Sequence, residues 1–189
     1  MTTATTQRIA SDVSTWQIDP AHSEIGFEVK HMMFATVRGR FRGVEGTLAL
    51  GQGPNVARSR VTAVIESASI DTGHAQRDEH LRSPDFFDVE RYPELRFESR
   101  SVRRGEGARF TVTGDLTIRG VTRPVSLDVT ESGRGVDPWG NERVGFTATT
   151  TIDRRHFGLT WNQALEAGGI LVGNEVRIKL EIQAIEGSE

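Results

Sequence analysis

Histidine is the first residue type in this sequence with which metal or acid–base chemistry could be built. The chain has five: His22, His31, His74, His80 and His156. They are scattered, without the HExxH pattern or a comparable ligand spacing. Because His74 and His80 lie six positions apart, a helix would place them on different faces, which argues against a shared metal ion. We expect no metal site and expect the histidines to be solvated or to cap helices.

Aspartate is the second candidate, since four aspartates surround one segment in the middle of the chain. They are Asp71, Asp78, Asp85 and Asp88. A pair of carboxylates there would suit acid–base catalysis. A structural interpretation is stronger, in which Asp85 and Asp88 bond the backbone of a helix start and a turn. In that interpretation Asp78 pairs with Arg82 one helical turn on.

Nucleophilic chemistry has little support in the sequence. Ser23 follows His22, but neighbouring strand residues face opposite sides, so adjacency does not make them a nucleophile–base pair. The chain has no GxSxG, P-loop or dinucleotide fingerprint. It also has no cysteine, which excludes disulfides, thiolate zinc sites and a cysteine nucleophile. We therefore expect no catalytic residues and no enzymatic activity.

The composition indicates one domain without a membrane span. The chain has 189 residues and a formal net charge of −3, and its mixed charges argue against nucleic acid as a partner. Residues 1–14 are rich in threonine and serine without a central apolar block, so we expect a disordered leader and not a secretory signal. The expected organisation is a single β domain over residues 15–187 in a soluble, cytoplasmic protein.

Apolar and polar residues alternate over roughly eight or nine segments that are joined by short turns. The last segment is the clearest, with one face formed by Val176, Ile178, Leu180, Ile182 and Ala184. Strict alternation predicts strands that contact water on one face only. A parallel α/β fold would need repeated crossover helices, which this pattern lacks. The sequence predicts an all-β fold, either a sandwich or a closed antiparallel barrel.

One segment, residues 73–90, departs from the alternation and predicts a helical lid or plug. Gly73 ends the preceding strand, and His74 to Arg82 carries helix formers without a β-branched residue. Ser83-Pro84 suits the start of another short turn. The apolar side of the segment is formed by Leu81, Phe86, Phe87 and Val89. The wet side is expected at Arg77, Asp78, Glu79 and Arg82.

Five of the nine phenylalanines lie in the alternating segments: Phe27, Phe41, Phe97, Phe110 and Phe146. Period-two geometry sends all five towards the interior. They could form an ordinary packed core, since buried aromatic residues usually fill space. Alternatively, they could form the wall of a barrel of about eight strands that holds one apolar ligand. A filled barrel and a hollow one share the same alternation, so both remain open.

Several stretches together resemble one known family. They are WQIDPAHSEIGFEVKHMM from Trp16, VRGRFRGVEGTL, IDTGHAQRDEHLRSPDFFDVERYPELRFES, FTVTGDLTIRGVTRPVSLDV, IDRRHFGLTWNQALEAGGILVG and NEVRIKLEIQA. In this order they resemble the YceI-like family of polyisoprenoid-binding, lipocalin-like barrels. The resemblance covers the chain from Trp16 to Ile185. It implies an extended eight-stranded antiparallel barrel that encloses a long isoprenoid chain, sometimes one with a quinone or phenol head.

The resemblance also implies ligand contacts, with no metal, cofactor or established catalytic residue. The expected walls are Phe27, Val29, Phe41, Phe97, Phe110 and Phe146, with Phe86 and Phe87 from the lid. The expected contacts to a polar head are His31, Arg77, His80 and Trp161.

The expected function is binding, sequestration or transport of a polyisoprenoid or similar amphiphilic lipid, without stable membrane insertion. A homodimer is left open. The alternatives are an enzyme that uses the lid aspartates and histidines on a hydrophobic substrate, and a filled barrel with a structural or stress-response role.

Overall fold

The computed structural model describes residues 12–187. Most of the leader expected over residues 1–14 lies outside the described residues. Val13 and Ser14, at its end, already belong to the first strand, where they lie opposite Gly51 and Leu50.

The described residues form eleven strands in one antiparallel sheet and one α-helix. The strands are β1 (Val13–Ile18), β2 (Glu24–His31), β3 (Ala35–Phe41), β4 (Val44–Gly51), β5 (Arg60–Glu66), β6 (Ile70–Asp71), β7 (Glu94–Arg104), β8 (Arg109–Ile118), β9 (Val121–Val136), β10 (Glu142–Asp153) and β11 (Val172–Glu186). The helix is α1 (Ala75–Arg82), and short 3₁₀ turns cover Pro20–His22, Gly53–Arg58, Ser67–Ser69 and Arg154–Phe157.

The sheet closes into a barrel through β11. One edge of β11 pairs with β10, and its other edge pairs with β1 and β2. β1 and β2 therefore share one position in the wall, and the pairs β3–β4 and β5–β6 each share one in the same way. The wall thus has eight positions in chain order, which confirms the eight-stranded antiparallel barrel and decides against the sandwich.

Three interruptions, adjacent across the wall, divide these shared strands. The first is the 3₁₀ turn at Pro20–His22, where the Asp19 carboxylate caps Ala21 N at 3.0 Å. Asp19 also accepts a hydrogen bond from Arg143 on β10 at 2.7 Å, and this bond is the main cause of the lowered pKa of Asp19. The second interruption is at Arg42-Gly43, and the third is the turn Ser67–Ser69.

The lid segment covers the end of the barrel beyond the β5–β7 pairing, as expected from its apolar side. The His74 side chain caps α1 by accepting from Arg77 N, and Phe87 packs edge-on against Phe41 at 5.6 Å. The Arg82 guanidinium donates to the carbonyl oxygens of Ala68 and Ile70 at 2.9 and 2.8 Å. The α-helix ends at Arg82, and the segment continues in turns.

Asp78, which was expected on the solvent-exposed side of this helix, is buried. Its side chain is 7% exposed and accepts hydrogen bonds from Thr72, one of them from Thr72 N at 2.9 Å. The predicted Asp78–Arg82 pair is therefore wrong, because Arg82 points to backbone carbonyls. Asp78 instead satisfies a backbone N–H just after β6, where the sheet pairing ends.

Candidate functional site

An elongated apolar cavity of about 590 Å³ runs along the inside of the barrel. On β11 its lining residues extend from Val172 to Ile182, a span of about 26 Å once the irregular pairing between Val172 and Val176 is taken into account. At one end, called the lid end, it is bounded by Leu81, Phe86 and Phe87. At the other, called the loop end, it is bounded by Gln52 and Val56. The volume lies within the range of small-molecule sites.

All eight residues expected as walls line this cavity: Phe27, Val29, Phe41, Phe86, Phe87, Phe97, Phe110 and Phe146. Their contact with a ligand stays a prediction. The existence of a continuous cavity counts against an interior filled by side chains.

Two glycines help to keep the interior open. The Phe27 ring lies over Gly39 on the neighbouring strand β3, and the Phe97 ring lies over Gly114 on β8. A Cβ atom on Gly114 would be 2.6 Å from Phe97 Cζ and 2.5 Å from the carbonyl oxygen of Glu98. Because the glycines have no Cβ, both rings lie back against the wall.

We predict that Gly114→Ala destabilises the protein by about 1–3 kcal/mol, since the added methyl group overpacks against Phe97 and backbone. The displaced ring should also narrow the tunnel and weaken lipid uptake. Urea unfolding and uptake of a polyprenol measure the two effects. Gly145→Ala is the matched control on β10, because the nearest atom to an added Cβ there is 3.7 Å away. Equal effects of the two substitutions would contradict the prediction.

The residues expected at a polar head do not line the cavity: His31, Arg77, His80 and Trp161. Arg77 donates to the hydroxyl and carbonyl oxygens of Thr72 at 2.7 and 2.9 Å. His31 ends β2, where it lies opposite Val172. Two of the four, Arg77 and His80, border a separate depression of about 330 Å³ together with His74 and Gln76.

His80 and Trp161 instead join the lid to the loop that precedes β11. The His80 ring stands edge-on to Trp161 and Phe86, at centroid distances of 4.8 and 5.1 Å. Trp161 and Phe86 are 5.3 Å apart. His80 Nε2 is also 2.8 Å from the Asp85 carboxylate. The cluster holds Phe86 in place as a boundary of the cavity.

Arg154 is a cavity residue that the sequence analysis missed. It is 4% exposed, and its guanidinium donates to the carbonyl oxygens of Leu159 and Trp161 at 2.6 and 2.9 Å. It also donates to Gly173 O at 2.8 Å, to Val172 O at 3.2 Å and to Asn174 Oδ1 at 3.5 Å. Burial lowers the pKa of Arg154. It thus ties the loop before β11 to that strand at the lid end.

Polar groups also line the loop end of the cavity, opposite the predicted head-group residues. Arg104, Glu131 and Arg134 belong to the lining there. Arg134 donates to Glu131 at 2.7 Å, which raises the pKa of Arg134, and it lies 5.5 Å from the ring centre of Trp16. The Arg104 guanidinium lies 5.9 Å from the ring centre of Phe110. This end presents both hydrogen-bond donors and acceptors to the apolar tunnel.

The family model for the YceI-like domain matches residues 16–184. The chain belongs to the YceI-like domain family. A UPF0312 protein of Photorhabdus laumondii is 43% identical over 136 residues, which cover 72% of this chain and 70% of the relative. The YceI protein of Escherichia coli O157:H7 is 39% identical over 138 residues, which cover 73% and 71%.

Solved structures agree with the YceI-like barrel. Burkholderia cenocepacia BcnA is 25% identical with a TM-score of 0.77, and the match covers 88% of this chain and 98% of BcnA. The Campylobacter jejuni YCEI protein is 26% identical with a TM-score of 0.70, over 84% and 90% of the chains. A domain of Saccharophagus degradans described as polyisoprenoid-binding matches over 91% and 98%, with a TM-score of 0.65. At 15% identity, this last match shows the fold alone.

In this YceI-like barrel the lid carboxylates and histidines do not converge on the cavity. Asp78 is bonded to Thr72, and His80 and Asp85 meet on the outside of the lid. Within residues 12–187, we find no group of three or more histidine or carboxylate side chains arranged to hold a metal ion. The same residues contain no helix that is long and apolar enough to cross a membrane.

Proposed function

We propose that this protein binds one long-chain isoprenoid lipid, or a similar amphiphile, inside its barrel. The observation that carries the proposal is the continuous apolar lining from the lid end to the loop end. A chain that lies along this tunnel would remove apolar surface from water over its whole length, which contributes roughly 25 cal/mol per Å² of buried area.

The shape of the cavity supports an extended chain over a compact ligand. The lining follows β11 from Val172 to Ile182, and inward phenylalanines stand along its length. The fold shared with the Saccharophagus degradans domain supports the same ligand class. A protein of this kind would sequester or transport its lipid. An isoprenoid quinone is one candidate for that lipid.

We place a polar head of the ligand at the loop end. Arg104, Glu131 and Arg134 reach the cavity there. At the lid end, the Arg154 donors are already bonded to backbone carbonyls and Asn174. If the polar head of the ligand lay at the lid end instead, its contacts would be the head-group residues expected from the sequence: His31, Arg77, His80 and Trp161.

Extraction of purified protein with organic solvent, followed by mass spectrometry, tests the proposed function. We expect a prenyl-chain lipid in the extract, and uptake of an added long-chain polyprenol by the emptied protein. An extract without lipid, together with no binding of the added polyprenol, would overturn the proposal.

A further inference from the structure

Three consecutive apolar side chains are exposed at the tip of the β2–β3 hairpin. Met32, Met33 and Phe34 are 38%, 65% and 77% exposed. Single exposed apolar residues are common on protein surfaces, but a contiguous exposed group is typical of an interaction site. We define these three residues as the hairpin tip.

The backbone of the hairpin tip has an unfavourable conformation, and the Met33 sulfur lies against Gly169 in the loop before β11. Met32 and Met33 have φ values of 51° and 68°, in the left-handed region that turns of this kind usually fill with glycine or asparagine. Met32 N donates to Leu171 O at 2.8 Å, which fixes the tip against the loop before β11. Large apolar residues thus occupy positions where smaller polar ones would suit both backbone and solvent.

The hairpin tip lies at the lid end of the cavity. His31, directly before the tip, lies opposite Val172 on β11, and both Val29 and Val172 line the tunnel. A surface that contacts the tip would therefore lie beside the end of the barrel that the lid covers.

The charges near the tip indicate which partner fits. Residues 29–37 carry the exposed Lys30 and no carboxylate, and the loop that contacts the tip, residues 162–171, carries the exposed Glu166 as its one charged side chain. Exposed apolar side chains beside an ammonium group suit a lipid bilayer, into which the side chains insert while the ammonium group stays at the headgroup phosphates. A stable protein interface needs about 800 Å² from each partner, more than three side chains on one hairpin present.

We propose that the protein docks reversibly on a lipid bilayer through Met32, Met33 and Phe34, with Lys30 at the headgroup level. This interaction goes beyond the proposed ligand binding and does not depend on which lipid occupies the tunnel. It brings the lid end to the membrane surface.

Sedimentation with vesicles of phosphatidylcholine and phosphatidylglycerol tests the proposal. The double variant Met33→Asn, Phe34→Ser removes the apolar groups, and asparagine suits the positive φ. We expect wild type to bind and the double variant to bind at least about tenfold more weakly, because two large apolar side chains no longer insert into the bilayer. Urea unfolding verifies that the variant is folded.

Trp139→Ser is the matched control. Trp139 is 82% exposed on the β9–β10 turn, at the loop end, and its backbone N–H donates to the Asp137 carboxylate at 3.0 Å. Its replacement should leave vesicle binding within about twofold, a difference well below 1 kcal/mol. Equal losses in the two variants, or no binding of wild type, would overturn the proposal. So would a wild-type dimer that does not bind vesicles and that the double variant converts to monomers.

Uptake of polyprenol from detergent separates this proposal from the proposed function. We expect the double variant to take up polyprenol from detergent as wild type does, but more slowly from vesicles. Failure of uptake in both proteins would refute ligand binding and leave the vesicle result to decide docking.

Discussion

An Ala148→Trp variant should lose lipid uptake and keep its fold. Ala148 is a small inward residue on β10, and its wall neighbours Leu180 and Val129 also line the cavity. An indole there would cross the tunnel, since the interior of an eight-stranded barrel has room for only one small ligand. The new ring would fill empty apolar space, so the free energy of unfolding should stay equal or rise. We expect uptake of polyprenol to fall at least about tenfold, or 1.4 kcal/mol.

The comparison requires emptied proteins, because a bound ligand would stabilise wild type alone. Thr149→Trp is the matched control, since the adjacent residue is exposed on the outside of β10. It should leave uptake unchanged. If Ala148→Trp takes up polyprenol as wild type does, the tunnel is not the binding site. If both variants unfold, the strand tolerates no tryptophan, and a smaller Ala148→Leu substitution carries the same test.

Replacement of Arg154 by methionine should destabilise the protein by about 3 kcal/mol or more, through the buried acceptors that it leaves without a donor. The carbonyl oxygens of Leu159, Trp161 and Gly173 would lose their charged donor, whereas Val172 O would keep the Asn162 amide as a donor at 2.7 Å. The loop that carries Trp161 would then be held to β11 chiefly by the Asn162 side chain, which donates to Val172 O at 2.7 Å and accepts from Val172 N at 3.0 Å, so the support of Phe86 would weaken. Urea unfolding measures the loss.

Two further variants serve as controls for the Arg154→Met substitution. Arg155→Met should cost less than about 1 kcal/mol, because Arg155 forms an exposed pair with Asp153. Arg154→Lys should recover only part of the loss, since an ammonium group cannot reproduce the fork of a guanidinium. A similar cost for Arg154→Met and Arg155→Met would contradict the role assigned to Arg154.

Most of the fold prediction rested on the alternation of apolar and polar residues along the strands. Because side chains on a strand alternate between the two faces, the pattern placed Phe97 and Phe110 inside without knowledge of strand order. Closure into a barrel was not contained in that pattern, since a sandwich shows the same period. It came from the family resemblance, and the pairing of β11 with both β1 and β10 confirms it.

The sequence could not separate Arg154 from Arg155, which are neighbours of one type. The first is buried and the second is exposed, where it holds the pKa of Asp153 at about 2. Their difference depends on where the following loop returns to β11, a long-range fact without a local pattern. The buried Asp78 has the same explanation, because its partner Thr72 is fixed by the end of β6.

The interrupted strands also indicate which part of the barrel can unfold locally before the rest. The breaks between β1 and β2, β3 and β4, and β5 and β6 are adjacent, so β2, β3 and β6 can separate from the wall while β4, β5 and β7 stay paired. Along the sheet, this part is joined to the remaining barrel through β11 alone. Local opening in such a part costs less free energy than global unfolding. We therefore expect the backbone amides of β2, β3 and β6, at the lid end, to exchange their protons through local opening, while the strands at the loop end stay paired.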